Sequence, residues 1–266
     1  MVSSFGLLAQ EFTAMSYNIK YANENDGENS WSKRKDFLAN QLKFYHPHIF
    51  GVQEAVKSQI DFISAELPTY KSLGVGREGG DQGEFSAIFY HTTKFEVLKS
   101  DTFWLSETPN QISKGWDADY HRICTYALLK DKESEEQFYF FNTHFDHRGK
   151  EARTNSARLI IQQIKKINVE NYPVLLTGDF NLEPETEQIQ YIKSYLNDAK
   201  EATAAITLGP SGTFNGYDFQ TPVTQRIDYI FHSEEINVET YAVLSDNENG
   251  RYASDHLPVF VKVQIN

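Results

Sequence analysis

Apolar positions along this chain alternate between two spacings. Runs such as Phe12–Tyr21, His48–Val52 and Pro173–Thr177 are nearly continuous or recur every second residue, the pattern of strands buried on one or both faces. Between them lie stretches with helical spacing. From Trp31 to Tyr45 the apolar residues fall at 31, 37, 38, 42 and 45, and Pro47 stops the helix. Val56–Leu67 reads as a second helix closed by Pro68. Arg148–Ile167 is a third, with Ala157, Ile160, Ile161, Ile164 and Ile167 on one face, and Glu187–Leu196 is a fourth. Further strands are predicted at Tyr70–Val75, Phe85–Tyr90, Phe95–Lys99, Ile123–Leu129, Phe138–Thr143, Gly212–Phe214, Arg226–Phe231, Val238–Val243 and Leu257–Val263. Strands outnumber helices by more than two to one, and the helices fall between groups of strands. That order favours two sheets packed face to face with helices outside.

No repeat, low-complexity linker or break in composition divides the chain, so residues 12–266 read as one domain. Residues 1–11 stand apart. Their apolar run resembles the tail of a secretory signal but is short and lacks a basic start. They read either as the remnant of an export signal, for a periplasmic or secreted protein, or as a disordered lead-in to a cytoplasmic one.

The stretch PVLLTGDFNLEP organises the candidate chemistry. Gly178 lets the chain turn after a buried strand. Asp179 and Asn181, two apart, share one face if the backbone stays extended, and Pro184 suits the first turn of the next helix. GDFN alone is equally well read as an Asx-rich turn. Five other polar clusters also end or follow predicted strands: Asn18, Glu54, His144, Asp228 and the pair Asp255–His256. A lone histidine or glutamate at a strand end is usually structural or solvated. Six clusters at strand ends are what one catalytic rim would need.

Composition narrows the chemistry. The single cysteine, Cys124, excludes an internal disulfide and any cysteine-rich metal site, and reads as a small buried hydrophobe. Carboxylate and amide oxygens suit a hard cation, Mg²⁺ or Mn²⁺. Zinc fits less well, since no HExxH or paired-Cys spacing occurs, and no GxSxG marks a serine hydrolase. The glycine-rich segment Gly74–Gly83 precedes a strand, not a helix, and makes a poor dinucleotide fingerprint.

In chain order, MSYNIKY, GVQEA, GEFSAIFY, NTHFDH, LLTGDFNLEP, RIDYIF and SDHLPVF resemble the signature segments of the endonuclease/exonuclease/phosphatase superfamily, the deoxyribonuclease I-like proteins. The likeness runs from Phe12 to Val263. It implies a four-layer α/β sandwich, two mixed β-sheets with helices outside, and metal-dependent hydrolysis of phosphate-ester P–O bonds. It further implies Glu54 as principal metal ligand, with Asn18 and Asp255 close to the metal or its waters. Asp179 matches the residue that orients or deprotonates the attacking water, and Asn181 a phosphate and water contact. His144 and His256 match the phosphate-contacting pair. Asp228 matches the carboxylate that hydrogen-bonds the second of these histidines, and Glu84 the one that does so for the first. Arg122 matches a phosphate contact in some members; otherwise it is a surface salt bridge. A catalytically dead scaffold would have lost one of these carboxylates or histidines, and none is missing.

Members of the superfamily act on nucleic acids, lipid headgroups, phosphoinositides and sugar phosphates. Charge argues against a duplex here: 25 basic residues stand against 37 acidic ones, for a net charge of −12. The cluster Lys33–Lys35 lies on a predicted helix away from the motifs. Arg148, Lys150 and Arg153 are expected to form a small basic lip after NTHFDH, enough for one or two phosphates. Asp146 and His147 extend the site or merely turn its loop. Trp104 reads as core and Trp116 as rim. A small phosphorylated molecule or headgroup is the expected substrate, with nucleic acid the alternative.

Overall fold

Alternation within the strands sets the layers. In the computed structural model, which describes residues 10–202 and 206–265, β1 (Gln10–Asn18) turns Phe12 and Ala14 toward one core and Met15 and Tyr17 toward another. Side chains two apart share a face, so one strand serves two cores. Phe12 and Ala14 meet Phe138, Phe140, Leu175 and Ile230 across the space between two sheets. Met15 and Tyr17 lie with Leu38, Leu42, Ile60 and Ile63 of the covering helices α1 (Trp31–Tyr45) and α2 (Lys57–Glu66).

The first sheet holds seven strands in the order β10-β12-β13-β1-β2-β4-β3. These are Ile206–Leu208, Ile236–Val243, Val259–Ile265, β1, Ile49–Ala55, Phe85–His91 and Tyr70–Leu73. The second holds six, in the order β5-β6-β7-β8-β11-β9: Phe95–Trp104, Ile123–Asp131, Gln137–His144, Val174–Asp179, Asp228–His232 and Asn197–Asp198. β1 and β2 are parallel in one sheet, β7 and β8 in the other, so both sheets are mixed. Helices α3 (Lys150–Ile167) and α4 (Glu187–Lys193) cover the outer face of the second sheet. There Ile160, Ile161, Ile164, Ile189 and Ile192 pack with Tyr139, Phe141, Leu176 and Phe231. A short α5 (Ala199–Ala202) follows β9. The result is the expected α/β sandwich.

A polar plug crosses the apolar core below the site. Asn142 Nδ2 donates to the Val52 and Ala87 carbonyls (both 2.9 Å), and its Oδ1 accepts from Gln53 Nε2 (2.6 Å) and Thr177 Oγ1 (3.0 Å). Buried amides are tolerable only when bonded in this way. Gly51 is what lets the plug approach, since a Cβ there would collide with Asn142 and Thr177.

Several sequence expectations need correction. Gly212–Phe214 forms no strand; Phe214 makes only an isolated bridge to His256. Pro184 lies in the turn ahead of α4, whose first residue is Glu187, rather than inside its first turn. The strand begun at Phe95 runs on to Trp104, because β6 pairs with it over that whole length. The short β9, α5 and β10 were not anticipated, being too brief to show a period. Residues 1–9, most of the anticipated lead-in, lie outside the described residues.

Candidate active site

Strand direction gathers the polar clusters at one rim. Parallel β1 and β2 run out side by side, with Asn18 paired to Gln53 and Glu54 next in line, and parallel β7 and β8 end together at His144 and Asp179. The antiparallel β11 starts where β8 ends, setting Asp228 opposite Asp179. β13 likewise starts beside the end of β1, so the residues before it, Asp255 and His256, reach the same rim. They open on a cleft of about 480 Å³. Lining it are Glu54, Glu84, Arg122, His144, Asp179, Asn181, Asp255 and His256, together with Lys20, Tyr21, Arg77, Tyr120 and His147.

Glu54 arrives by a device no period reveals. Gln53 points between the sheets to Asn142, so strict alternation would send Glu54 toward the helices. Pairing between β2 and β4 instead slips between Val52 and Ala55, and Glu54 takes φ 61°. A bulge of this kind re-aims one side chain. Left-handed backbone at a non-glycine costs about 1–3 kcal/mol and is typical of sites. The carboxylate then accepts from Asn18 Nδ2 (3.1 Å) and the Tyr21 N–H (3.3 Å). Burial pushes Glu54 up, but Lys20, His256 and these hydrogen bonds outweigh it and leave its pKa below the ordinary value.

Asn18 is wholly buried and joins the two halves of the site. Its Nδ2 also donates to Asp179 Oδ2 (2.9 Å), while its Oδ1 accepts from the Lys20 N–H (3.0 Å). Asn18 thus offers the carboxylates its NH₂ and keeps its oxygen for the backbone. Asn181 was expected to share a face with Asp179 through extended backbone. It reaches the cleft through a turn instead: φ is 51°, and Asp179 Oδ1 accepts its N–H (2.9 Å). Its Nδ2 then donates to His144 Nε2 (3.1 Å) and the Phe145 carbonyl.

The two histidines are driven apart electrostatically. His256 Nδ1 donates to Asp228 Oδ2 (2.8 Å), as anticipated, and its Nε2 lies 3.8 Å from Asp179. Burial lowers its pKa, yet Asp228 and then Asp179 raise it to about 10, so His256 is a cation at neutral pH. His144 is held well below the ordinary value by burial and by the charges of Arg122 and His256, so it is neutral. Asp179 is pushed up to about 7 by burial and then by Asp228.

Glu84 departs from expectation. It lines the cleft, but its carboxylate accepts from Arg77 Nη1 (2.8 Å) rather than from His144. Arg122 is no surface bridge: it is buried, with Nε 3.4 Å from Asp146 Oδ2. Asp146 also accepts the N–H groups of Arg148 and Gly149, so it both turns the loop and holds Arg122. The expected basic lip does not form. Arg148 pairs with Asp119, Arg153 donates to the His147 carbonyl, and neither of them nor Lys150 lines the cleft. Trp104 is buried, as expected, with its Nε1 bonded to the Arg77 carbonyl.

The family model for the endonuclease/exonuclease/phosphatase family matches residues 15–256. This chain belongs to that family. Among solved structures, a family protein from Bacteroides thetaiotaomicron is 38% identical and superposes with a TM-score of 0.93, covering 97% of this chain and 99% of the other. A mannosyl-6-phosphatase from Bacteroides thetaiotaomicron VPI-5482 is 39% identical with a TM-score of 0.91, covering 95% and 99%. An uncharacterised protein of Acanthamoeba polyphaga mimivirus is 26% identical over 246 residues, 87% of this chain and 91% of its own.

Members of the endonuclease/exonuclease/phosphatase family are hydrolases of phosphate esters and use divalent metals. The residues present fit such an ion. Glu54 and Asp255 already converge on a positive charge, the Lys20 ammonium, at 3.7 and 3.5 Å. Glu54, His144 and Asp179 also bring ligand atoms within 4.8 Å of one another.

Proposed function

We propose that the chain is a divalent-metal-dependent phosphoesterase acting on a small phosphorylated molecule, with sugar phosphates the first class to test. One observation carries the reading. In a chain of net charge −12, Lys20, Arg77, Arg122 and cationic His256 meet in one cleft beside Asp179. Glu54, Glu84, Asp179 and Asp255 line the same cleft and offset that charge, so what is left suits one phosphate group beside a bound cation rather than the run of phosphates of a duplex. Likeness to a mannosyl-6-phosphatase over nearly the whole length supports it.

A cation held by Glu54 and Asp255, with oxygen donors suited to Mg²⁺ or Mn²⁺, would neutralise phosphate charge and act as a Lewis acid. The chain's own residues account for the rest. Asp179, whose pKa is raised by burial, takes the proton of the attacking water as its oxygen bonds to phosphorus and the ester P–O bond breaks, the leaving oxygen taking a proton from solvent. His256, kept cationic by Asp228, donates to a phosphate oxygen where negative charge develops. Arg122 positions the remaining oxygens, Asn181 Nδ2 orients His144, and Asn18 holds Asp179 in place.

The test is a hydrolysis screen with Mg²⁺ or Mn²⁺ on sugar phosphates, lipid headgroup phosphates and plasmid DNA. The small esters should exceed the duplex by at least about tenfold in kcat/KM, or about 1.4 kcal/mol of transition-state binding. Efficient plasmid nicking near physiological salt, with no turnover of small esters, overturns the reading.

A further inference from the structure

Lys20 was not singled out by the sequence, yet the structure takes unusual care over it. Its backbone sits at φ 53°, a left-handed conformation for a long side chain. Three partners pin that peptide. Asn18 Oδ1 accepts the Lys20 N–H (3.0 Å), while Gln59 Nε2 (2.9 Å) and Arg34 Nη2 (2.6 Å) donate to its carbonyl. Arg34 is buried, and its remaining bonds go to other backbone carbonyls, including Ile19 (2.6 Å) and Ala253 (3.0 Å). One guanidinium therefore fixes the Lys20 peptide and the loop that presents Asp255.

The side chain is held far less tightly. Its ammonium lies between Glu54 and Asp255 at 3.7 and 3.5 Å, whereas every other salt-bridged lysine among the described residues has one contact of 3.0 Å or less, such as Lys33–Glu28 (2.7 Å), Lys57–Asp61 (2.6 Å), Lys94–Asp131 (2.8 Å) and Lys130–Glu135 (3.0 Å). It is one-quarter exposed and passes over the Tyr21 ring at 4.9 Å. A rigid backbone carrying a loosely seated ammonium between two converging carboxylates describes a removable counter-ion.

We propose that Lys20 is the built-in counter-ion of the metal-free site. Its ammonium relieves repulsion between Glu54 and Asp255 and is displaced toward the cleft mouth when a divalent cation enters. There it becomes a further positive group for the substrate phosphate. The proposal rests on the reading of Glu54 and Asp255 as metal ligands. It makes metal affinity a competition between a tethered cation and a free one.

Two measurements on the full chain, with Mn²⁺ alone as probe, test it. Calorimetric titration should show Lys20→Met binding Mn²⁺ at least about tenfold more tightly than wild type, equivalent to about 1.4 kcal/mol. In the wild type, acetylation of Lys20 by an amine-reactive ester, mapped by peptide mass spectrometry, should rise at least about threefold on saturation with Mn²⁺. Lys130 and Lys262, which line no part of the cleft, serve as controls. Tighter binding with increased Lys20 labelling supports the proposal. If wild type binds Mn²⁺ but Lys20 labelling is unchanged, or the variant binds no tighter, the Lys20 proposal alone is overturned. Failure of wild type to bind Mn²⁺ at all overturns the metal reading and the Lys20 proposal with it.

Discussion

Replacing Asp179 with Asn should make the metal-free protein more stable while removing its activity. Asp179 is buried, and burial followed by repulsion from Asp228 lifts its pKa from 3.8 to about 7. At about 1.36 kcal/mol per unit, ionised Asp179 costs the folded state about 4 kcal/mol at pH 8. Asn removes that charge and keeps an oxygen for the Asn181 N–H. Its NH₂, however, would oppose Asn18 Nδ2, which offsets about 1–2 kcal/mol. The attraction to cationic His256 is already contained in the raised pKa. A net gain of about 2–3 kcal/mol is expected. The sign with pH follows from linkage. A carboxyl whose folded pKa is raised favours the folded state below its unfolded value, near 3.8, and loses that contribution as pH climbs through about 7. The advantage of Asp179→Asn should therefore grow from pH 5 to pH 8. Urea unfolding followed by circular dichroism, in chelator at pH 5, 6.5 and 8, measures it. Turnover with Mn²⁺ should fall by at least about 10²-fold, as for loss of a general base. A variant less stable than wild type at pH 8, or a difference flat with pH, refutes the reasoning.

Other perturbations probe neighbouring parts of the site. Glu54→Gln should abolish Mn²⁺ binding and metal-dependent turnover and lower the melting temperature slightly at neutral pH, since a carboxylate whose pKa is held below the ordinary value favours the folded state when ionised; unchanged Mn²⁺ affinity removes Glu54 from the site. Asp228→Asn should lower the pKa of His256 from about 10, where burial is outweighed by Asp228 and Asp179. Because that raised value stabilises the fold below the ordinary histidine pKa and the benefit fades as pH rises through about 10, the variant's stability should fall less steeply over that window. Histidine titration by NMR checks this, and an unmoved His256 breaks the pair. Asn142→Leu should cost about 3 kcal/mol or more by urea unfolding, because the Val52 and Ala87 carbonyls and Gln53 Nε2 lose a buried partner; a loss under about 1 kcal/mol contradicts the plug.

Local pattern carries most of the architecture. Helix α1 runs from Trp31 to Tyr45, as its spacing predicts, and stops where His46 adopts φ 45° just ahead of Pro47. Alternation in Phe138–Thr143 already separates the side chains that meet the other sheet from those that meet α3. Asp179, His144, Asp228 and His256 stand out as polar groups ending apolar runs, and the structure does assemble them. These features depend on neighbours in sequence, so they can be read from sequence.

What only the tertiary structure decided depends on partners far apart in the chain. Asn18 reaches Asp179 across 161 positions, and only the packing of one sheet on the other makes that bond. The aim of Glu54 comes from a slip in pairing with β4, which leaves no period in its own strand. Glu84 takes Arg77 instead of a histidine because the glycine-rich loop folds back over the rim, with the Arg77 N–H donating to the Glu84 carbonyl. Lys20, Arg77 and Tyr120 were missed for the same reason. A charged residue in a loop looks solvated until the fold shows which cleft it faces. Sequence by itself determined which residues could do chemistry, because residue type and strand-end position are local facts. Charge states, aims and partners were settled by packing, because burial and Coulomb interactions act through space rather than along the chain.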